Sequence, residues 1–419
     1  PGTGKTHTAV RILESWAKMD IGTILAVADS NVAVDNLLEG LLARGVRVVR
    51  LGQPVKVREK LRMATMDAKM ETHPLRRDLD TQLNLNEKLN RRINSLKGKE
   101  KGLAYRDIKK GWKEIRRIEN QIRDDILDRI QVVCCTCIGA GNEILDGRRF
   151  PQVLIDEATQ ATEPASLVPL TRGARQVVLV GDHKQLPPTV ISFRAEEKGL
   201  KRSLFERLVD LGIEPLLLST QYRMHPAISK FPNQHFYSDK LDDGINSENR
   251  PAPAGLIWPD WENPVAFVPV EGGEVVSPDG TSRENPSEVS WVIKILNDIL
   301  EAGEITKKDI GIITPYAGQV RAIRNSMNEK LDDVEVKTVD GYQGREKEVI
   351  IFSCVRSNPE QNVGFLSEKR RLNVALTRAK RGLIVIGDPA TLRADDNWRA
   401  WLEYVRDRKF EAWHLLGMN

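Results

Sequence analysis

Six residues at the start of the chain have the types and spacing to hold phosphate. Pro1-Gly2-Thr3-Gly4-Lys5-Thr6 matches the end of the pattern G-x-x-x-x-G-K-[ST], whose opening glycine would fall two residues before Pro1. Glycines let backbone N–H groups turn toward phosphate oxygens, and a helix that follows adds its positive end. Gly2, Thr3 and Gly4 would line the phosphates of a nucleotide. Lys5 would reach the β- and γ-phosphates, and Thr6 would hold Mg²⁺ through its hydroxyl.

A second group of residues supplies what hydrolysis would need. Gln152-Val-Leu-Ile-Asp-Glu-Ala-Thr159 places two carboxylates straight after an apolar run. Asp156 is suited to Mg²⁺, which takes hard oxygen ligands and keeps several waters, and Glu157 is suited to polarising an attacking water. An acidic turn after a strand is common by itself; together with the lysine loop it reads as a nucleotide-hydrolysing pair. Val180-Gly-Asp-His-Lys-Gln-Leu-Pro-Pro188 follows another apolar run, and there Gln185 could sense the γ-phosphate. Arginines recur far downstream in Gln221-Tyr-Arg-Met-His-Pro226 and in Arg370-Arg-Leu-Asn-Val-Ala-Leu-Thr-Arg378. An arginine brought to the γ-phosphate from a second lobe stabilises the charge that develops during transfer.

The elements that must carry these residues are short apolar runs alternating with helices. Residues 23–28, 131–137, 152–155, 176–180 and 215–218 read as buried strands, as do 310–313, 349–354 and 383–386. This alternation predicts parallel α/β sheets with ligands at the carboxyl ends of the strands. The stretch from Asp242 to Pro286, rich in Pro and Gly, predicts connecting strands and loops. Between Lys56 and Arg129 stand 21 Lys and Arg against 13 Asp and Glu, a balance of +8 in a chain of net charge +4. Leucines at 75, 79, 83, 89 and 96, and isoleucines from 108 to 126, recur at helical steps on either side of a break from Lys97 to Gly102. That segment reads as a basic helical hairpin, with a solvated face as its plainest use and phosphate binding as the functional one.

The wording and order of PGTGKT, ADSNVAVDNL, VVCCTCIGAG, DEATQATEP, GDHKQLPP, QYRMHP, GIITPYAGQV, TVDGYQGREKEVIIFSCVRSN and RRLNVALTRAKRG resemble superfamily 1 helicases of the up-frameshift type. This group includes the RNA helicase of nonsense-mediated decay. The resemblance covers nearly the whole chain. It implies two tandem RecA-like lobes: residues 1–214, starting within the phosphate loop and carrying a helical insertion at 56–130, and residues 215–419. It also implies ATP and Mg²⁺ as cofactors and 5′-to-3′ movement along a single strand. By motif, Lys5, Asp156, Glu157, Gln185, Arg223 and Arg378 would be catalytic, with the two arginines as fingers. Tyr222 would stack on adenine, and Glu346 would contact the nucleotide from the second lobe. The nucleic-acid path would run over Ser30, Asn31, Thr136, Thr314, Pro315, Tyr316, Thr338, Asp340 and Gln343. Each of these is as well suited singly to capping a turn. The lysine and second proline of GDHKQLPP depart from the decay helicase and are closer to other members of the group.

Cys134, Cys135 and Cys137 alternate along one strand, with no second cluster to complete a tetrahedral set, so no zinc is expected. Four cysteines in 419 residues do not make a disulfide scaffold and point to a reducing compartment, cytoplasmic or also nuclear. No run is apolar enough to span a membrane. Three functions fit: an ATP-dependent helicase on single-stranded RNA, with DNA as the alternative strand; a strand-stimulated ATPase clamp that remodels bound proteins; and a binding module with a dead ATP site, against which the intact Lys5, Asp156 and Glu157 speak. A monomeric motor with regulatory protein partners is expected.

Overall fold

The computed structural model describes residues 1–327 and 331–413. The last residues of the expected second lobe, 414–419, lie outside them. The chain divides into two compact units, the first formed by Thr6–Gly181 with Pro187–Ile213. The second unit is formed by Pro1–Lys5, Asp182–Leu186 and the chain from Glu214 onward.

The first unit is built on five parallel strands. They are β1 (Ile24–Ala28), β2 (Val48–Arg50), β3 (Val132–Thr136), β4 (Gln152–Asp156) and β5 (Gln176–Leu179), in the order β2-β3-β1-β4-β5. The central strands β1 and β4 are buried along their whole length, as continuous apolar runs covered on both faces must be. Alternation sends side chains to two cores. Ile24, Ala26, Val132, Cys134 and Leu154 pack with helices α1 (Lys5–Met19) and α2 (Asn31–Leu42). Leu25, Val27, Val133, Cys135 and Val153 pack on the other face. The strand cysteines therefore face opposite cores, and burial pushes the Cys134 thiol up to about 12.

After a short helix α3 (Met66–Glu71), helices α4 (Arg76–Arg92) and α5 (Gly98–Arg129) form the basic hairpin. The expected break narrows to its first glycine. Gly98, at φ 55°, starts α5, whereas Gly102 lies inside it. One glycine in a helix costs only about 1 kcal/mol, too little to end a helix that packing supports. The base of α5 belongs to the sheet core, because Ile115, Ile118, Ile122 and Ile126 pack with Leu25 and Val133. Its outer part is held by a separate cluster of Ile93, Ala104 and Ile108. Short helices α6 (Glu163–Leu170), α7 (Phe193–Glu197) and α8 (Leu204–Asp210) complete the unit.

Residues 215–218 are not a strand. Leu216 is fully exposed and the run joins no ladder. An apolar run becomes a strand only where a neighbour takes its backbone hydrogen bonds.

In the second unit, β6 (Thr220–Gln221) and β7 (Asp242–Asp243) make a minimal parallel ladder, and helix α9 (Pro226–Tyr237) lies between them in sequence. Strand β8 (Val265–Pro269) lies in the stretch read as connecting strands and loops, and it joins the main sheet. A small antiparallel pair follows, β9 (Val275–Val276) with β10 (Arg283–Glu284). Helix α10 (Pro286–Glu301), strand β11 (Ile310–Thr314), helix α11 (Ala317–Ser326), and strands β12 (Glu335–Thr338), β13 (Lys347–Ser353) and β14 (Ala379–Gly387) come next. The five-stranded sheet has the order β12-β11-β13-β14-β8 and is parallel throughout. Helix α12 (Lys369–Leu376) precedes β14, and α13 (Pro389–Leu392) and α14 (Asp396–Asp407) follow it. Trp398 and Trp401 of α14 lie in the core with Phe352 and Val385.

A buried polar network fastens α10 to the end of β13. Glu288 Oε2 accepts from Ser353 Oγ at 2.6 Å and from the Val355 N–H at 2.9 Å. Asn285 Nδ2 donates to the Val355 carbonyl at 3.1 Å. These bonds hold Val355 at φ 72°, a conformation that a β-branched residue adopts only under external constraint. Burial pushes the Glu288 carboxyl up to about 8, against the bonds from Ser353 and Val355 that lower it. The folded protein thus holds this proton more tightly than the unfolded chain does. Its stabilising share is full below about pH 4.5 and is lost as pH rises through about 8. Glu288→Gln should flatten that fall. Thermal midpoints of both proteins at pH 5 and pH 9 check this, and an unchanged gap between the two pH values would refute it.

Candidate active site

At the carboxyl edge of the first sheet, Ala28 is in register with both Thr136 and Asp156. Three strand ends therefore carry their following residues to one edge. Thr6, in the first turn of α1, donates its hydroxyl to Asp156 Oδ2 at 3.1 Å. Two hard oxygen ligands, adjacent and nearly dry around Asp156 (1% exposed), suit a small divalent cation such as Mg²⁺. Asp156 Oδ1 also accepts from the Glu157 N–H at 2.9 Å. Glu157 itself stands at φ 50°, the left-handed region that non-glycine residues seldom enter, which turns the chain sharply off the end of β4. Its Oε2 accepts from Gln160 Nε2 at 2.7 Å, which fixes the carboxylate in place.

In the second unit, Gly2 and Gly4 have φ 70° and 76°, the turn that points backbone N–H groups into a loop. Lys5 Nζ lies 3.8 Å from Asp182 Oδ2. Asp182 Oδ2 also accepts from Gln185 Nε2 at 2.8 Å and from Tyr237 Oη at 2.9 Å. Burial works against the Asp182 charge, but Lys5, the Tyr237 hydroxyl and the Lys184 N–H keep its carboxyl below the usual range. Gln185 Oε1 then meets Arg378 Nη2 at 3.4 Å. Arg378 is 2% exposed, and its guanidinium also donates to the carbonyl of Val374 and to Thr377 Oγ1. Arg223 pairs with Glu346 (Nε to Oε2, 2.5 Å), and Lys380 sits 3.4 Å from the same carboxylate. Burial would raise the Glu346 carboxyl, and Arg223 and Lys380 lower it below the ordinary value. Tyr222 leaves its ring 57% exposed. A Cβ at Gly244 would fall 2.5 Å from Tyr222 Cε1, so glycine is what leaves that ring its place.

The residues singled out for nucleic acid sit on two strand edges, each in its own unit. In the first, Ser30 Oγ caps α2 by accepting from the Ala33 N–H, Asn31 Oδ1 accepts from Arg50, and Thr136 Oγ1 accepts from the Gly139 N–H. In the second, Thr314 and Thr338 are in register on adjacent strands. Thr338 accepts from the Gly341 N–H, Asp340 pairs with Arg371, and Pro315 and Gln343 are half-buried. Thr314 and Tyr316 are buried, at 0% and 6% exposure. Asp182, Tyr237 and Asn373 are participants not singled out in the sequence. Asn373 Nδ2 donates to the Lys184 carbonyl and to Tyr237 Oη, both at 2.8 Å. The available signal for Asp182 was a lone carboxylate two residues beyond the apolar run at 176–180.

A glycine-lysine loop, an acidic pair at a strand end and parallel sheets define the class of P-loop nucleotide-binding proteins. Two domain families, both described as AAA domain, match residues 1–193 and 200–390. The chain is 42% identical to the regulator of nonsense transcripts 1 homolog of Drosophila melanogaster over 416 residues, 98% of this chain and 34% of that protein. It is 41% identical to the ATP-dependent helicase NAM7 of Saccharomyces cerevisiae over 416 residues, 97% of this chain and 41% of that protein. Among solved structures, the helicase nonstructural protein 10 of an arterivirus, in complex with DNA, matches at a TM-score of 0.45 and 14% identity, over 93% of this chain and 59% of that one. Over nearly its whole length the chain is thus a homologue of proteins named regulator of nonsense transcripts 1 and ATP-dependent helicase. It spans between 30% and 44% of the length of the curated relatives it matches. Among the described residues no helix is long and apolar enough to cross a membrane.

Proposed function

We propose that the chain is the motor of an ATP-dependent helicase that moves 5′-to-3′ along single-stranded RNA. The observation that carries this is the Thr6–Asp156–Glu157 group at a strand edge, joined to relatives named as ATP-dependent helicase and as regulators of nonsense transcripts. Thr6 and Asp156 are the oxygen ligands for Mg²⁺, which when bound offsets phosphate charge. Lys5 carries positive charge to the β- and γ-phosphates. Glu157, oriented by Gln160, takes a proton from the attacking water. Gln185 senses the γ-phosphate, and Arg378 and Arg223 stabilise the charge that develops on it. Tyr222 offers its exposed face to adenine, and Glu346 holds Arg223 in position. The strand runs over Ser30, Asn31 and Thr136 in one unit, and over Pro315, Thr338, Asp340 and Gln343 in the other; Thr314 and Tyr316, expected on this path, are buried and support the edge from within. The motor is monomeric, takes regulatory proteins as further partners and works in the cytoplasm or nucleus.

The test is phosphate release from ATP, measured with no strand, with single-stranded RNA and with single-stranded DNA. A tailed duplex measures unwinding. Stimulation by RNA with strand separation is expected. Stimulation by DNA alone would move the track to DNA, and stimulation without separation would make the protein a clamp.

The basic hairpin adds strand affinity on this reading. Its base is part of the sheet core, so deleting it would damage the fold, and charge removal is the cleaner probe. Lys109, Lys110 and Lys113 are exposed on α5. Changing all three to Gln should reduce the slope of log affinity against log salt by up to about 2, at roughly 0.7 per phosphate contact on a single strand. An unchanged slope would free the hairpin from this role.

A further inference from the structure

The loop from Val355 to Ser367 is tied down in an unusual number of ways, yet it leaves one aromatic ring in solvent. Glu274, in the stretch read as connecting strands and loops, anchors its start. Glu274 Oε2 accepts from Arg356 Nε, the Ser357 N–H and Asn358 Nδ2, each at 2.9 Å. Asn358 and Asn362 then bond reciprocally: Asn358 Nδ2 donates to the Asn362 carbonyl, and the Asn362 N–H donates to Asn358 Oδ1. Further along, Val363 packs on the core and Leu366 lies within it, with the Leu366 carbonyl accepting from Trp398 Nε1. Gly364 turns at φ 54°, and a Cβ there would collide with Arg356 Nη1 and Tyr316 Oη. The Phe365 N–H donates to Tyr316 Oη at 3.3 Å, and Arg356 Nη1 donates to the same oxygen at 3.2 Å.

Phe365 is nevertheless 58% exposed. Its backbone N–H is bonded and Leu366 beside it is buried, so the exposure is imposed by the loop and is not a product of slack. A single exposed apolar residue needs no explanation by itself; three further observations give this one a use. The Arg371 guanidinium lies 5.3 Å from its ring centroid, a cation over an aromatic face. Arg371 also reaches Asp340, and the Phe365 ring leans on Tyr316 with centroids 5.5 Å apart. Both partners belong to the edge proposed above for the strand. Arg371 is the last of three consecutive cations, Lys369, Arg370 and Arg371, that open α12; Lys369 itself lies over the Phe236 ring. Aromatic faces set among cations are how sequence-blind single-strand binders hold bases and backbone together.

We infer that Phe365, braced by Tyr316 and flanked by Arg371, is a stacking platform for one base of the bound single strand. This inference rests on the reading of the chain as a single-strand motor. Stacking needs only a π-face, so the contact is indifferent to base identity and to the 2′-hydroxyl.

The test is equilibrium binding of a labelled oligouridine and of an abasic strand of the same length, by the unmodified protein, Phe365→Ala and Phe365→Tyr. Phe365→Ala should weaken oligouridine binding about 10-fold and leave the abasic strand unchanged. Phe365→Tyr should stay within about 2-fold of the unmodified protein, since its ring can stack as well. Equal binding of oligouridine by Phe365→Ala and the unmodified protein would overturn the inference. So would an equal loss on both strands, because that would mean the ring supports the loop and does not meet a base. If the unmodified protein binds neither strand, the proposed function itself fails, and this inference with it.

Discussion

Arg378→Ala should lower the turnover number for ATP by 10³-fold or more, the range an arginine finger supplies in phosphoryl transfer. The size follows from how the guanidinium is held. Arg378 is 2% exposed, and its donors already engage the Val374 carbonyl, Thr377 Oγ1 and Gln185 Oε1. A cation fixed in advance in a water-poor place stabilises developing charge without reorganising when the reaction occurs. Arg378→Lys keeps the charge and loses the planar fork, so it should recover only a small part of the loss. Phosphate release at saturating strand and ATP measures both variants, and thermal midpoints show whether either has lost its fold. A folded Arg378→Ala protein with turnover within 10-fold of the original would remove Arg378 from the reaction.

Glu157→Gln should cost about 10²- to 10⁴-fold in turnover, the range of a positioned general base, while nucleotide binding persists. The amide keeps the shape and the partner Gln160 but cannot accept the proton from water. The backbone argues in the same direction. Glu157 occupies a left-handed conformation at φ 50° immediately after β4, which costs on the order of 1–3 kcal/mol for a residue with a side chain. Glycine would relieve that cost, and a carboxylate stands there instead. Single-turnover assays beside fluorescent-nucleotide binding separate the two effects. Loss of binding together with turnover would make Glu157 a residue of the fold or the phosphate site, not the base.

Much of the architecture could be read from the chain because parallel strands buried on both faces are written as unbroken apolar runs. The runs at 152–155, 310–313 and 383–386 all lie within strands of the two sheets, and the run at 23–28 exceeds β1 by one residue. The isoleucine stripe from 108 to 126 was visible for the same reason, since a helix must repeat its buried face every three or four residues. The run at 215–218 had the same composition and is exposed, because composition does not say whether a sheet edge is available to pair with it. Strand β8 was hidden in the opposite way. It sits at the edge of its sheet beside β14, within a segment whose prolines and glycines weaken any periodic signal.

The chemistry divides along similar lines. The sequence alone determined which residue types could bind phosphate, metal and water, because a glycine-lysine loop and a carboxylate pair at the end of an apolar run are local patterns. It also determined the hairpin's charge, which is a matter of counting. Only the tertiary structure decided that Thr6 and Asp156 lie in hydrogen-bond contact although 150 positions apart, and that Gln185 meets Arg378 across 193. Only the structure decided that Thr314 and Tyr316 are buried while Phe365 stands out in solvent. The reason is physical. A motif states which groups are offered to solvent or ligand if the backbone turns as the pattern requires. Burial and long-range pairing depend on which sheet edge, helix face or loop fills the remaining space, and that is settled by packing the whole chain at once.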